Sequence, residues 1–165
     1  MVQLYYGDGK GKTTAAMGLA LRALGHGRRV VVLQFLKDGT SGEIALLRRC
    51  GAEVHACPNA KFTWLMTEAE RTEARQHNTA ALRAALDTPF DLLVLDEACA
   101  ACRHQLVDEA LLRQAAAMAK QGREVVLTGR DPAPWMQEAA DYSTELRAVR
   151  HPYTQGIAAR EGVEY

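Results

Sequence analysis

The chain has 165 residues, 48% hydrophobic and 24% charged, the make-up of one folded domain rather than a disordered segment. Twenty basic side chains offset twenty acidic ones, so no net field draws the chain to nucleic acid or anionic lipid. No apolar run approaches the roughly 18 residues of a membrane span. A polar glycine loop follows Met1–Tyr6 too early for a signal peptide, and four cysteines fit a reducing cytosol better than a disulfide scaffold. A cytoplasmic, single-domain protein over residues 1–165 is expected.

Val2–Tyr6 predicts a short strand, followed by a glycine loop and a helix from about Thr13 to Leu24 that Gly25-His26-Gly27 stops. Val30–Phe35 is almost wholly apolar, as a strand covered on both faces should be. A short helix around Glu43–Arg49 leads to a strand near Glu53–Ala56. Thr67-x-x-Glu70 is a capping-box pattern that opens a long helix running to about Leu86. Asp91–Asp96 predicts a buried strand ending in acid. A helix near Val107–Lys120, a strand over Glu124–Thr128, a helix near Ala133–Ala140 and a strand near Tyr142–Arg147 complete the chain. Strand and helix alternate with short connections, which implies parallel strands joined by right-handed helical crossovers. The expected fold is a three-layer α/β sandwich with a mainly parallel sheet, its ligand at the carboxyl ends of the strands.

Gly7-Asp8-Gly9-Lys10-Gly11-Lys12-Thr13-Thr14 stands between the first strand and the first helix, the context a phosphate-binding loop requires. Successive glycines let backbone N–H groups turn toward an anion, and the helix N-terminus adds partial positive charge. Lys12 would neutralise phosphate oxygens and the Thr13 hydroxyl would ligate Mg²⁺. The bland alternative is a glycine-rich turn that contains lysine. The usual pattern has four residues between its first glycine and Gly-Lys-Thr. Here only Asp8, Gly9 and Lys10 separate Gly7 from Gly11, and Tyr6 falls where the usual first glycine would be. A loop one residue short predicts a displaced or differently oriented triphosphate, a change of little use to a kinase or ATPase cutting at the γ-phosphate.

Leu92-Leu93-Val94-Leu95-Asp96-Glu97 has the form of a Walker B strand, apolar within the sheet and acidic at its tip. Asp96 and Glu97 would hold Mg²⁺ directly or through water, or else Asp96 is a helix N-cap with Glu97 in the first turn. Cys99-Ala-Ala-Cys102 is one C-x-x-C pair. Zinc would need Cys50, Cys57 or His55 to complete a site, so two buried cysteines one helical turn apart are the better reading.

Further segments narrow the chemistry. Residues 7–16, Arg-Ala-Leu-Gly-His-Gly (22–27), Gln-Phe-Leu-Lys (34–37), Gly-Glu (42–43), Phe-Thr-Trp (62–64), Leu-Asp-Glu (95–97), Leu-Thr-Gly-Arg (127–130), Ala-Asp (140–141) and the His-Pro-Tyr…Gly-Ile tail (151–157) together resemble one family. It is the P-loop class of ATP:corrinoid adenosyltransferases, the BtuR/CobO type. The resemblance is collinear from Leu4 to Tyr165 and includes the shortened loop. It implies a P-loop NTPase, RecA-like fold and transfer of the 5′-deoxyadenosyl group of ATP to the cobalt of a reduced corrinoid, releasing triphosphate. It also implies a nucleotide bound in reversed polarity with C5′ open to the corrinoid, and Glu97 rather than Asp96 as the direct ligand of Mg²⁺ or Mn²⁺.

In that family a Phe-x-Trp pair displaces the lower axial ligand of cobalt and eases its reduction; Phe62 and Trp64 match those positions, where the residues alone would suggest packing aromatics. No Asp-x-His-x-x-Gly pattern occurs that would supply a histidine ligand to cobalt. Gln34, Lys37 and Arg130 are placed at strand ends on the ligand side, to contact corrinoid amides, ribose or phosphate, or to form solvated rim. Lys10 either adds to the phosphate site or is a solvated loop lysine. The resemblance further implies a homodimer and an electron donor such as a flavodoxin or flavoprotein. Some members carry an N-terminal segment over the active site; the match here begins almost at residue 1, so corrinoid enclosure is expected to be looser or completed by a partner subunit. The rivals are a P-loop small-molecule kinase or ATPase and a non-catalytic corrinoid carrier.

Overall fold

Runs of valine and leucine favour extended backbone where both faces are to be covered. Two such runs form the centre of the fold, β2 (Val30–Gln34) and β4 (Leu92–Asp96), in which every residue is buried. The computed structural model describes residues 1–57 and 65–163. Besides these two strands it contains β1 (Val2–Tyr6), β3 (Glu53–Ala56), β5 (Glu124–Gly129) and β6 (Tyr142–Glu145). They form one six-stranded sheet in the order β3-β2-β4-β5-β1-β6, with every pairing parallel.

Parallel neighbours require a crossover, and each crossover is helical. Helix α1 (Lys12–Gly25) packs across β4 and β5 on its way from β1 to β2. With α2 (Gly42–Arg49) it covers one face, where Ala16, Met17, Ala20, Ile44 and Leu47 meet Val30, Val32, Val94 and Val126. The other face carries α3 (Glu68–Asp87), α4 (Ala98–Arg103), α5 (Glu109–Met118) and α6 (Pro134–Ala139). Leu82, Leu112 and Met136 from these helices pack on Leu4, Leu33, Leu95 and Leu127. Residues alternate between the two clusters along β2, β4 and β5, as the pleat requires. The result is the expected three-layer α/β sandwich, with a wholly parallel sheet among the described residues. No helix among them is long and apolar enough to cross a membrane.

Helix starts follow their caps. The Thr67 hydroxyl accepts from the Glu70 N–H, and the Glu70 carboxylate accepts from the Thr67 N–H at 2.9 Å, completing the capping box of α3. The Asp108 carboxylate caps α5, which starts two residues later than the hydrophobic pattern suggested. Strand β2 stops at Gln34, one residue short of the expected end, because Leu36 turns the chain at φ 58°. The helix over 98–103 places Cys99 and Cys102 in the core as free thiols. Burial pushes the Cys99 thiol up to about 12, so it is an inert packing group. No cluster of potential metal ligands from histidine, cysteine and carboxylate occurs among the described residues.

At the opposite end of the sheet from the loops, Arg29 and Asp91 clamp the starts of β2 and β4. Asp91 accepts from the Arg29 N–H at 2.8 Å and from its guanidinium at 2.9 and 3.2 Å. The side-chain hydrogen bond from Arg29 holds the Asp91 carboxyl well below the ordinary aspartate value of 3.8. A depressed carboxyl stabilises the fold above its unfolded pKa and loses that contribution as pH falls through the folded value. Asp91→Asn is therefore expected to be less stable than the parent at neutral pH. In urea unfolding at a series of pH values, that gap should close only as the pH drops below 3.8 into strong acid. A gap independent of pH would show that the charge contributes nothing.

Candidate active site

Parallel register sets the site before any side chain is considered. Gln34 stands beside Asp96, and Tyr6 lies between Gly129 and Glu145, so the loops leaving β1, β2, β4, β5 and β6 emerge together. Three of these exits carry a non-glycine residue in the left-handed region: Leu36 (φ 58°), Glu97 (φ 61°) and Asp131 (φ 49°). Such conformations cost about 1–3 kcal/mol each and persist where the surroundings impose them.

The phosphate-loop segment turns through two glycines, Gly7 at φ 112° and Gly11 at φ 115°. Gly11 leads into α1 without any side-chain cap, so the first-turn N–H groups of a 14-residue helix face the loop free for an anion. The Lys12 ammonium donates to the Gly9 carbonyl at 2.7 Å. Burial pushes the Lys12 pKa down, and the Glu97 carboxylate nearby pulls it back up. Thr14 is exposed in the first turn, and the exposed Lys10 donates to the Val163 carbonyl at 2.9 Å.

The floor of the site is the carboxylate of Asp96, wholly buried at the tip of β4. Its Oδ1 accepts from the Thr13 hydroxyl at 2.9 Å and the Thr128 hydroxyl at 2.7 Å. Its Oδ2 accepts from the Lys37 ammonium at 2.7 Å and Gln34 Nε2 at 3.2 Å. Lys37 also donates to Thr13 Oγ1 at 3.1 Å. Glu97 differs: its N–H donates to Thr128 Oγ1 at 2.9 Å, while its carboxylate takes no hydrogen bond among the described residues. Burial and the adjacent Asp96 charge push the Glu97 pKa up, opposed by Lys37, Lys12 and Arg130. Thr13, Asp96 and Glu97 offer only hard oxygen atoms, a donor set that suits Mg²⁺ or Mn²⁺. The ammonium already lying between two of them shows that the position favours a cation.

Beside the loop a cleft of about 930 Å³ runs between Tyr6–Asp8, Arg130–Pro132, Gln137 and the 145–149 segment, within the size range of small-molecule sites. The segment after β6 presses on the loop. Gly9 N–H donates to the Leu146 carbonyl at 2.8 Å, and Asp8 accepts from the Ala148 N–H at 3.1 Å. That backbone hydrogen bond holds the exposed Asp8 carboxyl low.

The structure thus brings Gly7, Asp8, Gly9, Gly11, Lys12, Thr13, Lys37, Asp96 and Glu97 together, with exposed Arg130 on the rim of the cleft. Gln34 is neither rim nor solvated; it is buried against Asp96, its Oε1 without a partner among the described residues. Phe62 and Trp64 lie outside the described residues. Two participants were not singled out as site residues: Thr128, which lies inside the Leu-Thr-Gly-Arg segment (127–130), and the backbone of Leu146–Ala148, which no side-chain pattern announces.

A parallel sheet with a glycine loop entering a helix and an acidic neighbouring strand tip defines the P-loop NTPase-like class of α/β proteins. The family model described as ATP:corrinoid adenosyltransferase BtuR/CobO/CobP matches residues 1–165, and the chain belongs to that family of transferases. It is 40% identical to a corrinoid adenosyltransferase of Pseudomonas aeruginosa, over 98% of this chain and 82% of that one. It is 35% identical to a corrinoid adenosyltransferase of Escherichia coli K12 and 36% identical to one of Salmonella typhimurium, each over all of this chain and 85% of theirs.

A Cβ on Gly9 would stand 2.8 Å from the Leu146 carbonyl, and one on Gly7 would collide with that same carbonyl oxygen. Gly9→Ala is expected to push the 146–148 segment off the loop and weaken ATP binding about tenfold or more, roughly 1.4 kcal/mol upward, in titration calorimetry. Its far-ultraviolet circular dichroism should stay unchanged. Undiminished affinity would show that the close approach plays no part in binding.

Proposed function

We propose that this protein transfers the 5′-deoxyadenosyl group of ATP to the Co(I) centre of a reduced corrinoid, giving an adenosylcorrinoid and triphosphate. The observation that carries the reading is the loop one residue short, between Gly7 and Gly11, in a chain of this family. In-line attack forms a Co–C5′ bond from the cobalt electron pair. The C5′–O bond breaks, and its electrons leave with the triphosphate oxygen. Charge develops on that oxygen, so stabilisation must be aimed at it. Lys12 and the uncapped N–H groups of α1 supply it from fixed positions. Thr13 and Glu97 would hold Mg²⁺ or Mn²⁺, while Asp96, saturated by four donors, orients Thr13. The metal, when bound, supplies Lewis-acid neutralisation of the triphosphate.

Phe62 and Trp64 are proposed to replace the lower axial ligand with apolar surface, which lowers the orbital that must accept an electron on reduction of Co(II). The same reading includes a homodimer, a cytoplasmic location and a flavodoxin-type electron donor.

Chemically reduced cobalamin, protein and MgATP under anaerobic conditions should yield a light-sensitive Co–C spectrum with stoichiometric triphosphate by phosphorus NMR. ADP in its place would move the assignment to a kinase or ATPase. Lys12→Ala should lower kcat about 10²–10³-fold, the usual effect of losing one donor to a developing oxyanion. Trp64→Ala should keep its rate on pre-formed Co(I) yet fall about tenfold, some 1.4 kcal/mol in barrier, when a flavoprotein must reduce Co(II). Equal losses in both assays would refute the proposed role in reduction.

A further inference from the structure

Lys37 is held in place from two sides. The left-handed turn at Leu36 (φ 58°) redirects the chain immediately after β2, and the Lys37 ammonium then reaches both Asp96 Oδ2 at 2.7 Å and Thr13 Oγ1 at 3.1 Å. Leucine has no intrinsic reason to adopt this conformation. The side chain is about one-third exposed while Asp96 is fully buried, so the ammonium plugs the carboxylate from the solvent side. The atoms it touches are a proposed metal ligand and the carboxylate that orients it. An ammonium and a divalent cation at this spot repel each other at close range in a partly desolvated setting.

We infer that Lys37 is a built-in counter-cation that holds the metal position until the metal–nucleotide complex arrives, so that the protein takes its divalent ion only together with ATP. This rests on the metal site proposed above and concerns Lys37 alone. A bare divalent ion must displace the ammonium from Asp96 and offers it no new partner. A metal–triphosphate complex brings anionic oxygens to which the ammonium can move as the ion reaches Thr13 and Glu97. Lys37 thereby acts as a positioning residue, coupling metal entry to nucleotide entry and keeping the Asp96 charge compensated meanwhile.

Mn²⁺ binding to the full chain, followed by electron paramagnetic resonance with and without ATP, tests this. The parent should bind Mn²⁺ weakly alone and tightly with ATP. Lys37→Met should bind Mn²⁺ alone about tenfold more tightly or better, because a like charge a few ångströms away has gone. Lys37→Gln, which keeps a donor to Asp96 without the charge, should show the same gain should the methionine variant fold poorly. Lys37→Arg should retain the exclusion. Equal affinity of the parent and Lys37→Gln for Mn²⁺ alone, with ATP-dependent binding intact in both, overturns the inference and leaves the metal site standing. A parent that binds Mn²⁺ with ATP no better than Thr13→Ala overturns the metal site itself, and this inference with it.

Discussion

A carboxylate with no solvent exposure is the constraint on which this molecule is arranged. Removing the Asp96 charge from water costs several kcal/mol unless its lone pairs are satisfied. Four donors satisfy them, from β2, from the turn beyond it, from the first turn of α1 and from β5. Those four groups converge only if the strands are parallel and in the observed register, with Gln34 level with Asp96 and Leu95 beside Leu127. Thus the order of the sheet and the composition of the site are one requirement seen at two scales. Thr128 links the two acids by donating to Asp96 and accepting from the Glu97 N–H. Asp96 is thereby committed to structure, and Glu97 remains available for chemistry.

Most of the fold was legible in the sequence because its signals are local. Valine and leucine runs specify β2 and β4 through burial on both faces, and Thr67 with Glu70 specifies the start of α3 through two reciprocal hydrogen bonds. The acidic strand tip and the glycine loop were legible for the same reason, since their chemistry is written in adjacent residues. What was not legible arises from tertiary contact between backbones. Nothing about leucine announces the positive φ at Leu36, and nothing in Glu145-Leu146-Arg147 announces a carbonyl resting on Gly9. Gln34, readable as part of a ligand-side rim, turned inward because its register neighbour is an acid that needs donors.

The Cys-x-x-Cys pair shows how spacing alone misleads. Both thiols are buried on α4, and a Cβ on Gly129 would stand 2.7 Å from the Cys99 Cβ. Cys99 therefore serves as small apolar packing that lets α4 approach the end of β5. That approach places the Glu97 backbone within reach of Thr128, so Cys99 contributes to the site through geometry rather than through sulfur chemistry.

One consequence belongs to the edge of the sheet. Strand β6 is exposed along its whole length and, among the described residues, pairs only with β1, yet the chain leaving it holds the phosphate loop through the Leu146 carbonyl. Edge elements with little buried surface open locally at a free-energy cost far below that of global unfolding. The loop is therefore held at Gly7 by the Gly129 carbonyl of β5 and at Gly9 by the chain leaving the least protected strand. Amide exchange at Gly9 is then governed by fraying of β6, and the rate at which this part of the loop relaxes is set at the rim of the protein.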